Sequence, residues 1–326
     1  MGKEMHFDVT VITGYRVGTD SLCKYISKHP SIFCPGYYGT KFRSHAYSDK
    51  TFADIIGCKR RVFIWHDSNT DFLYNGDVPI KHKYLIHPVR HPYEQMIANY
   101  NASLQQNIID NREHVDILKY VAQGKMNSLH CSLSYSRHYG NYEEVKVVDF
   151  SSLSSPHINR TMDDIYQWLG LEACADFEND NSFKKNHVDY FLEKFPLRIN
   201  NKNIEWVIYF TRQGQELPKN LYPIGVTNTD ELGMLTICLT KGELYTNRTQ
   251  YQGLTALDVE IMIERFYWSW VTSLKEKLEL FQSYKIISLP SEVMEIINNE
   301  CQDDYNRVAE YYPEIEMLWR DKWSLR

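Results

Sequence analysis

Asp8-Val-Thr-Val-Ile-Thr-Gly-Tyr-Arg-Val-Gly-Thr-Asp-Ser-Leu22 reads as a buried strand, a tight loop carrying a cation, and the start of a helix. Val9, Val11 and Ile12 are β-branched and give a short apolar run without helical period, while Gly14 and Gly18 let the backbone turn sharply and approach a ligand. Leu22, Tyr25 and Ile26 then fall at helical spacing. A helix that follows such a loop turns free N–H groups and the positive end of its dipole toward whatever sits there, so an anion is favoured. Arg16 adds a full charge and a fork of donors suited to phosphate or sulfate. The nucleoside-triphosphate loop Gly-x-x-x-x-Gly-Lys-Ser/Thr needs a lysine after its second glycine, and here Gly18 is followed by Thr19 and Asp20.

Downstream, strands and helices alternate. Arg61–Trp65 is a short apolar strand ending at His66; Lys83–His87 is a second, and Tyr93 to about Leu104 is a helix with Met96, Ile97 and Tyr100 on one face. Glu143–Phe150 is a third strand, and Thr161–Leu169 an amphipathic helix stopped by Gly170. This alternation over residues 1–175 predicts a parallel sheet flanked by helices, with ligands at the carboxyl ends of the strands. Residues 190–255 are expected to form a β-rich insertion, a lid or acceptor-binding subdomain, with strands at Trp206–Phe210, Leu235–Leu239 and Gly242–Thr246. Residues 256–326 are expected to be helical, with segments at 256–281, 291–297 and 303–319. One domain spanning 1–326 is the economical arrangement.

Composition narrows the partners. Lys+Arg minus Asp+Glu is 36 − 42 = −6, so no global basic field points to nucleic acid, and a polyanion must find a local cationic patch. Seven cysteines without a Cys-x-x-Cys pair fit free thiols in a reducing compartment. Met1-Gly-Lys-Glu-Met-His6 leads directly into the first strand and no apolar run reaches membrane-spanning length, so a cytoplasmic chain with no membrane span is expected.

A second anion motif is Tyr84-Leu-Ile-His-Pro-Val-Arg-His-Pro-Tyr-Glu-Gln-Met-Ile-Ala-Asn-Tyr100, where Arg90 ends a strand and Pro92 opens a helix. His66 also ends a strand, where a neutral imidazole can take a proton from an attacking hydroxyl; Asp67, His87 and His91 are rival bases.

In order and spacing these features resemble the sulfotransferases that use 3′-phosphoadenosine 5′-phosphosulfate (PAPS). Tyr15-Arg16-Val17-Gly18-Thr19 is similar to their 5′-phosphosulfate loop Pro-Lys/Arg-Ser-Gly-Thr-Thr, and Val89-Arg-His-Pro92 to their 3′-phosphate motif Val-Arg-Asp/Asn-Pro. Tyr135-Ser-Arg-His-Tyr139, Val145–Leu153 and Thr161–Leu171 resemble the family's middle pattern of an aromatic-bearing helix, a strand ending Phe/Tyr-Glu-Asp-Leu, and a helix ending Phe-Leu-Gly-Leu. The resemblance covers about residues 8–175. It departs at Asp20, where the family has Thr or Ser; at Ile64, in place of a lysine; at Ala98, in place of a 3′-phosphate serine; and at Ser151-Ser152, in place of an acidic pair.

The resemblance implies the P-loop-like sulfotransferase fold and an atypical member of the family. It implies in-line transfer of the sulfuryl group from PAPS to a hydroxyl or amine, releasing 3′-phosphoadenosine 5′-phosphate, with no metal; the motifs do not name the acceptor, and the expected cytosolic setting, a His-type base and the many aromatics lean toward a small molecule such as a specialised metabolite. His66 is then the general base and Arg16 the catalytic cation. Tyr15, Arg16, Val17, Gly18, Thr19, Asp20, Ser21, Arg90 and Ala98 surround the donor, joined by Lys241-Gly242, which is similar to a closing Arg-Lys-Gly of cytosolic members. Tyr37, Tyr38, His45, Tyr135 and Tyr139 are candidate walls of the acceptor pocket. A glycan or lipid acceptor, a non-catalytic nucleotide-binding protein on the same fold, and a P-loop-type kinase remain alternatives; the chain is a monomer or homodimer.

Overall fold

The computed structural model describes residues 8–14, 16–34, 37–38, 57–66, 83–122, 131–174, 176–177, 187–201, 204–213, 217, 221–229, 232–240 and 256–319. The chain divides into two compact units, Met1–Tyr100 with Val115–Asp180 and Ile286–Arg326, and Asn101–His114 with Asn181–Lys285. Among the described residues no helix is long and apolar enough to cross a membrane.

The first unit is α/β. Its strands are β1 (Val9–Thr13), β2 (Ile32–Phe33), β3 (Tyr37–Tyr38), β4 (Arg60–His66), β5 (Tyr84–Val89) and β6 (Glu144–Asp149). They run parallel in the order β2-β4-β1-β5-β6, with β3 also paired to β4. Helices α1 (Thr19–Lys28), α2 (Pro92–Ile109, whose last turns belong to the second unit), α3 (Ile117–Tyr120) and α4 (Ile158–Trp168) follow the strands. All six residues of β5 are buried, as a strand covered on both faces requires. Leu22, Cys23, Tyr25 and Ile26 make the buried face of α1, and Tyr166 of α4 donates from its hydroxyl to the Tyr25 carbonyl at 2.8 Å.

The strand order sets the site. From β1 the chain moves through α1 to one side of the sheet, and from β5 it moves through α2 to the other side, so the connections diverge between β1 and β5. Such a switch point opens a crevice outside the carboxyl ends of the strands. Register places Thr13 opposite His66 of β4, Val11 opposite Ile86 of β5, and Val89 opposite Asp149 of β6. The carboxyl ends of β1, β4, β5 and β6 therefore share one edge of the sheet.

The second unit holds an antiparallel sheet of β7 (Leu197–Asn201), β8 (Ile204–Arg212), β9 (Leu221–Thr229) and β10 (Gly233–Thr240) in the order β7-β8-β10-β9. Helices α5 (His187–Lys194) and α6 (Ala256–Tyr284) belong to the same unit. Trp206, Ile208 and Phe210 alternate into the core; Phe210 stacks on Trp270 of α6 at 4.2 Å, and Trp270 donates its indole N–H to the Phe195 carbonyl. The expected strands 206–210 and 235–239 lie inside β8 and β10, whereas 242–246 lies outside the described residues.

Helix α6 joins the β-rich part, and only α7 (Ser291–Tyr311) and α8 (Glu314–Trp319) return to the first unit. The gap expected between 297 and 303 is absent. Val293, Ile297, Cys301, Asp304 and Val308 form one buried stripe, and the helix stops only before Pro313. Asp304 looks like a break in that stripe, but Arg137 and Arg307 neutralise its buried carboxylate at 2.7 and 2.6 Å.

Candidate functional site

The loop after β1 is built from alternating backbone hands. Arg16 has φ 61° and Gly18 φ 80°, with Val17 between them on the ordinary negative side. Successive residues of opposite hand turn their N–H groups toward a common concavity, which suits an anion. Gly18 is the N-cap of α1 and supplies no side chain to the cap. Close approaches crowd both glycines of the loop, and at Gly18 the approach excludes a side chain. A Cβ on Gly18 would lie 2.7 Å from the Phe150 ring, and one on Gly14 would lie 3.3 Å from the Ser132 Cα and 3.4 Å from the Tyr135 ring. Val17 and Thr19 are buried beneath the loop while the Arg16 side chain is exposed. Ser21 is half-buried on the first turn of α1.

Arg90, the first residue after β5, reaches this loop. Its Nη1 donates to the Arg16 carbonyl at 3.0 Å, its guanidinium lies 4.2 Å from the centre of the Phe150 ring, and its Nε is 3.7 Å from the Glu94 carboxylate. Only 20% of the side chain is exposed, and Nε is buried without a hydrogen-bond partner. Burial pulls the guanidinium's pKa down from its ordinary value, Glu94 opposes that, and nearby Arg16 adds to it. The group nevertheless stays cationic at neutral pH. The Arg16 loop and Arg90 thus meet at the switch point, with the carboxylates of Glu94 and Asp149 both acting on the Arg90 guanidinium.

Ser132 and Asp149 support this edge. Ser132 opens the 3-10 segment Ser132–Asn141; its Oγ donates to Gln95 Oε1 at 3.1 Å and accepts from the Arg90 N–H at 3.4 Å. Asp149 ends β6 and caps the 3-10 turn Phe150–Leu153, accepting from the Ser151 N–H, the Ser151 hydroxyl and the Trp319 indole N–H. That cap carries Phe150 over Gly18. Sequence reasoning noticed Phe150 only as the aromatic of a strand-end pattern and did not single out Ser132, because both act through contacts between distant segments.

The other candidates divide. The backbone of His66 ends β4 in register with Thr13, so it shares the sheet edge with the Arg16 loop and Arg90. The rivals His87 and His91 are core residues. His87 is fully buried; its Nε2 donates to the Ser132 carbonyl at 2.8 Å, which leaves Nδ1 to accept from the Tyr139 hydroxyl at 2.6 Å. Burial lowers its pKa to about 4, so it is neutral and committed at working pH. His91 accepts from the Tyr93 N–H and packs between the Tyr93 and Trp319 rings. Tyr135 and Tyr139 are both buried around His87; Tyr139 donates its hydroxyl to that histidine and its ring meets Tyr311 edge to face. Ala98 lies half-buried on α2. Tyr37 and Tyr38 form β3, parallel to β4, and Asp20 falls in the first turn of α1. Tyr15, His45, Asp67, Lys241 and Gly242 lie outside the described residues.

Comparison with protein-family models, curated proteins and solved structures found no match.

Proposed function

We propose that the chain is a PAPS-dependent sulfotransferase of atypical sequence, built on a P-loop-like α/β unit. The observation that carries this reading is the meeting of the Arg16 loop and Arg90 at the β1/β5 switch point, joined by the 3.0 Å hydrogen bond. Two strand-end cations on one crevice suit a ligand with two separated anionic groups, and the order of motifs along the chain resembles that of sulfotransferases.

In this reading Arg16 and the amides of Val17 to Thr19 hold the 5′-phosphosulfate, and Arg90 takes the 3′-phosphate through its remaining donors. Bound PAPS supplies the sulfuryl group and a leaving 3′-phosphoadenosine 5′-phosphate. Transfer to an acceptor hydroxyl breaks the bond from sulfur to the bridging oxygen and forms one to the acceptor oxygen, whose proton passes to His66. Cations and N–H groups on the departing oxygen do most of the work, as in phosphoryl transfer. The acceptor in this reading is a small molecule with a hydroxyl or amine.

Transfer of labelled sulfate from PAPS to a panel of small hydroxyl and amine acceptors tests this reading. We expect turnover by the unchanged chain and, for His66→Ala, retained nucleotide binding with transfer lowered by at least about a hundredfold. Full turnover in His66→Ala removes it as the base.

A further inference from the structure

We propose that Arg90 is a positioning residue for the loop after β1, and not solely a ligand for a second phosphate. The inference rests on the anion-cradle reading above. Four groups form a closed circuit. The Arg90 guanidinium holds the Arg16 carbonyl at 3.0 Å and stacks on Phe150 at 4.2 Å, and the Phe150 ring fills the space where a Cβ of Gly18 would stand, at 2.7 Å. Both left-handed residues of the turn, Arg16 and Gly18, are thus held from the same guanidinium, one by a hydrogen bond and the other through the ring.

Arg16 is the informative member. A non-glycine residue at φ 61° is strained and persists only where its surroundings hold it. The bond from Arg90 supplies that hold. In a planar trans peptide the Val17 N–H points opposite to the Arg16 carbonyl, so fixing the carbonyl on Arg90 also fixes the direction of that amide. Glu94, near Nε at 3.7 Å, and the buried setting restrict the guanidinium in turn. A ligand that never touches Arg90 therefore still depends on it.

The test uses inorganic sulfate and AMP, which lack a 3′-phosphate, beside 3′-phosphoadenosine 5′-phosphate, with dissociation constants measured by calorimetry. Arg90→Met is expected to weaken sulfate and AMP by about tenfold, the size of one lost charge-assisted hydrogen bond. Arg90→Lys keeps a cationic donor for the Arg16 carbonyl but loses the fork, so it restores sulfate and AMP binding without restoring the preference for the 3′-phosphorylated nucleotide. Phe150→Leu leaves Arg90 in place and is expected to weaken sulfate by a smaller factor, about threefold; it carries the test if Arg90→Met does not fold. Unchanged sulfate and AMP affinity in Arg90→Met, with only the 3′-phosphorylated nucleotide weakened, overturns the clamp and leaves the nucleotide reading standing. An unchanged chain that binds sulfate but no adenine nucleotide overturns the nucleotide reading, while the clamp is still read on sulfate. An unchanged chain that binds neither overturns both.

Discussion

Gly18 concentrates two constraints in one residue. Its φ of 80° lies in the left-handed region, and a Cβ there meets the Phe150 ring at 2.7 Å. Gly18→Ala is expected to lower stability by about 2–4 kcal/mol, from backbone strain plus overpacking, as read in a urea unfolding curve. His87 makes the opposite kind of statement. Its folded pKa of about 4 lies below the ordinary 6.5, so the unfolded chain takes up the proton first as pH falls. Its contribution is fully present above about pH 6.5, declines as pH drops, and is lost below about pH 4; the total is roughly 3 kcal/mol. Unfolding midpoints of the unchanged chain should therefore fall across that window more steeply than those of His87→Gln. Equal slopes would remove His87 as the cause. At this scale Arg16 and Arg90 were legible in the sequence because each sits where a strand gives way to a helix. The hydrogen bond from Tyr139 to His87 was not, since nothing in the local spacing of either residue announces a contact 52 positions away.

Among the elements, β1, β4, β5 and β6 were readable from short apolar runs rich in β-branched residues, and β5 is buried along its whole length. Strands β7 and β9 were missed. Pro223 and Gly225 inside Leu221–Thr229 look like turn residues, yet β9 is an edge strand, where proline is tolerated. Leu197-Arg-Ile-Asn-Asn201 is short, and its two asparagines hide the alternation that buries Leu197 and Ile199. The end of α2 shows a device no sequence pattern announced. Lys277 of α6 donates from Nζ to the Ile108 carbonyl at 2.7 Å and to Asn111 Oδ1 at 2.6 Å, so a buried ammonium caps the last turn from another helix. Lys277→Met should cost about 1–3 kcal/mol. Hydrogen exchange of amides 105–109 is the direct readout: faster exchange confined to that turn is expected, and unchanged protection would show that the cap is idle.

For the molecule as a whole, the sequence carried the motifs but not their neighbourhood. That Arg16 and Arg90, separated by 74 positions, share a hydrogen bond follows from β1 lying between β4 and β5, an order that no local pattern encodes. The same order places the backbone of His66 beside Thr13, bringing the base of the proposed transfer to the edge that holds both arginines. The central claim is that this edge accepts a nucleotide carrying both a 5′ and a 3′ anion. A ligand that binds only the folded chain stabilises it by an amount that grows with the logarithm of one plus its concentration over its dissociation constant, so thermal shift tests the claim most directly. Saturating 3′-phosphoadenosine 5′-phosphate is predicted to raise the midpoint by several degrees, with AMP giving less and ATP with Mg²⁺ giving little. Stabilisation by ATP with Mg²⁺ alone, or by no adenine nucleotide at all, would contradict it.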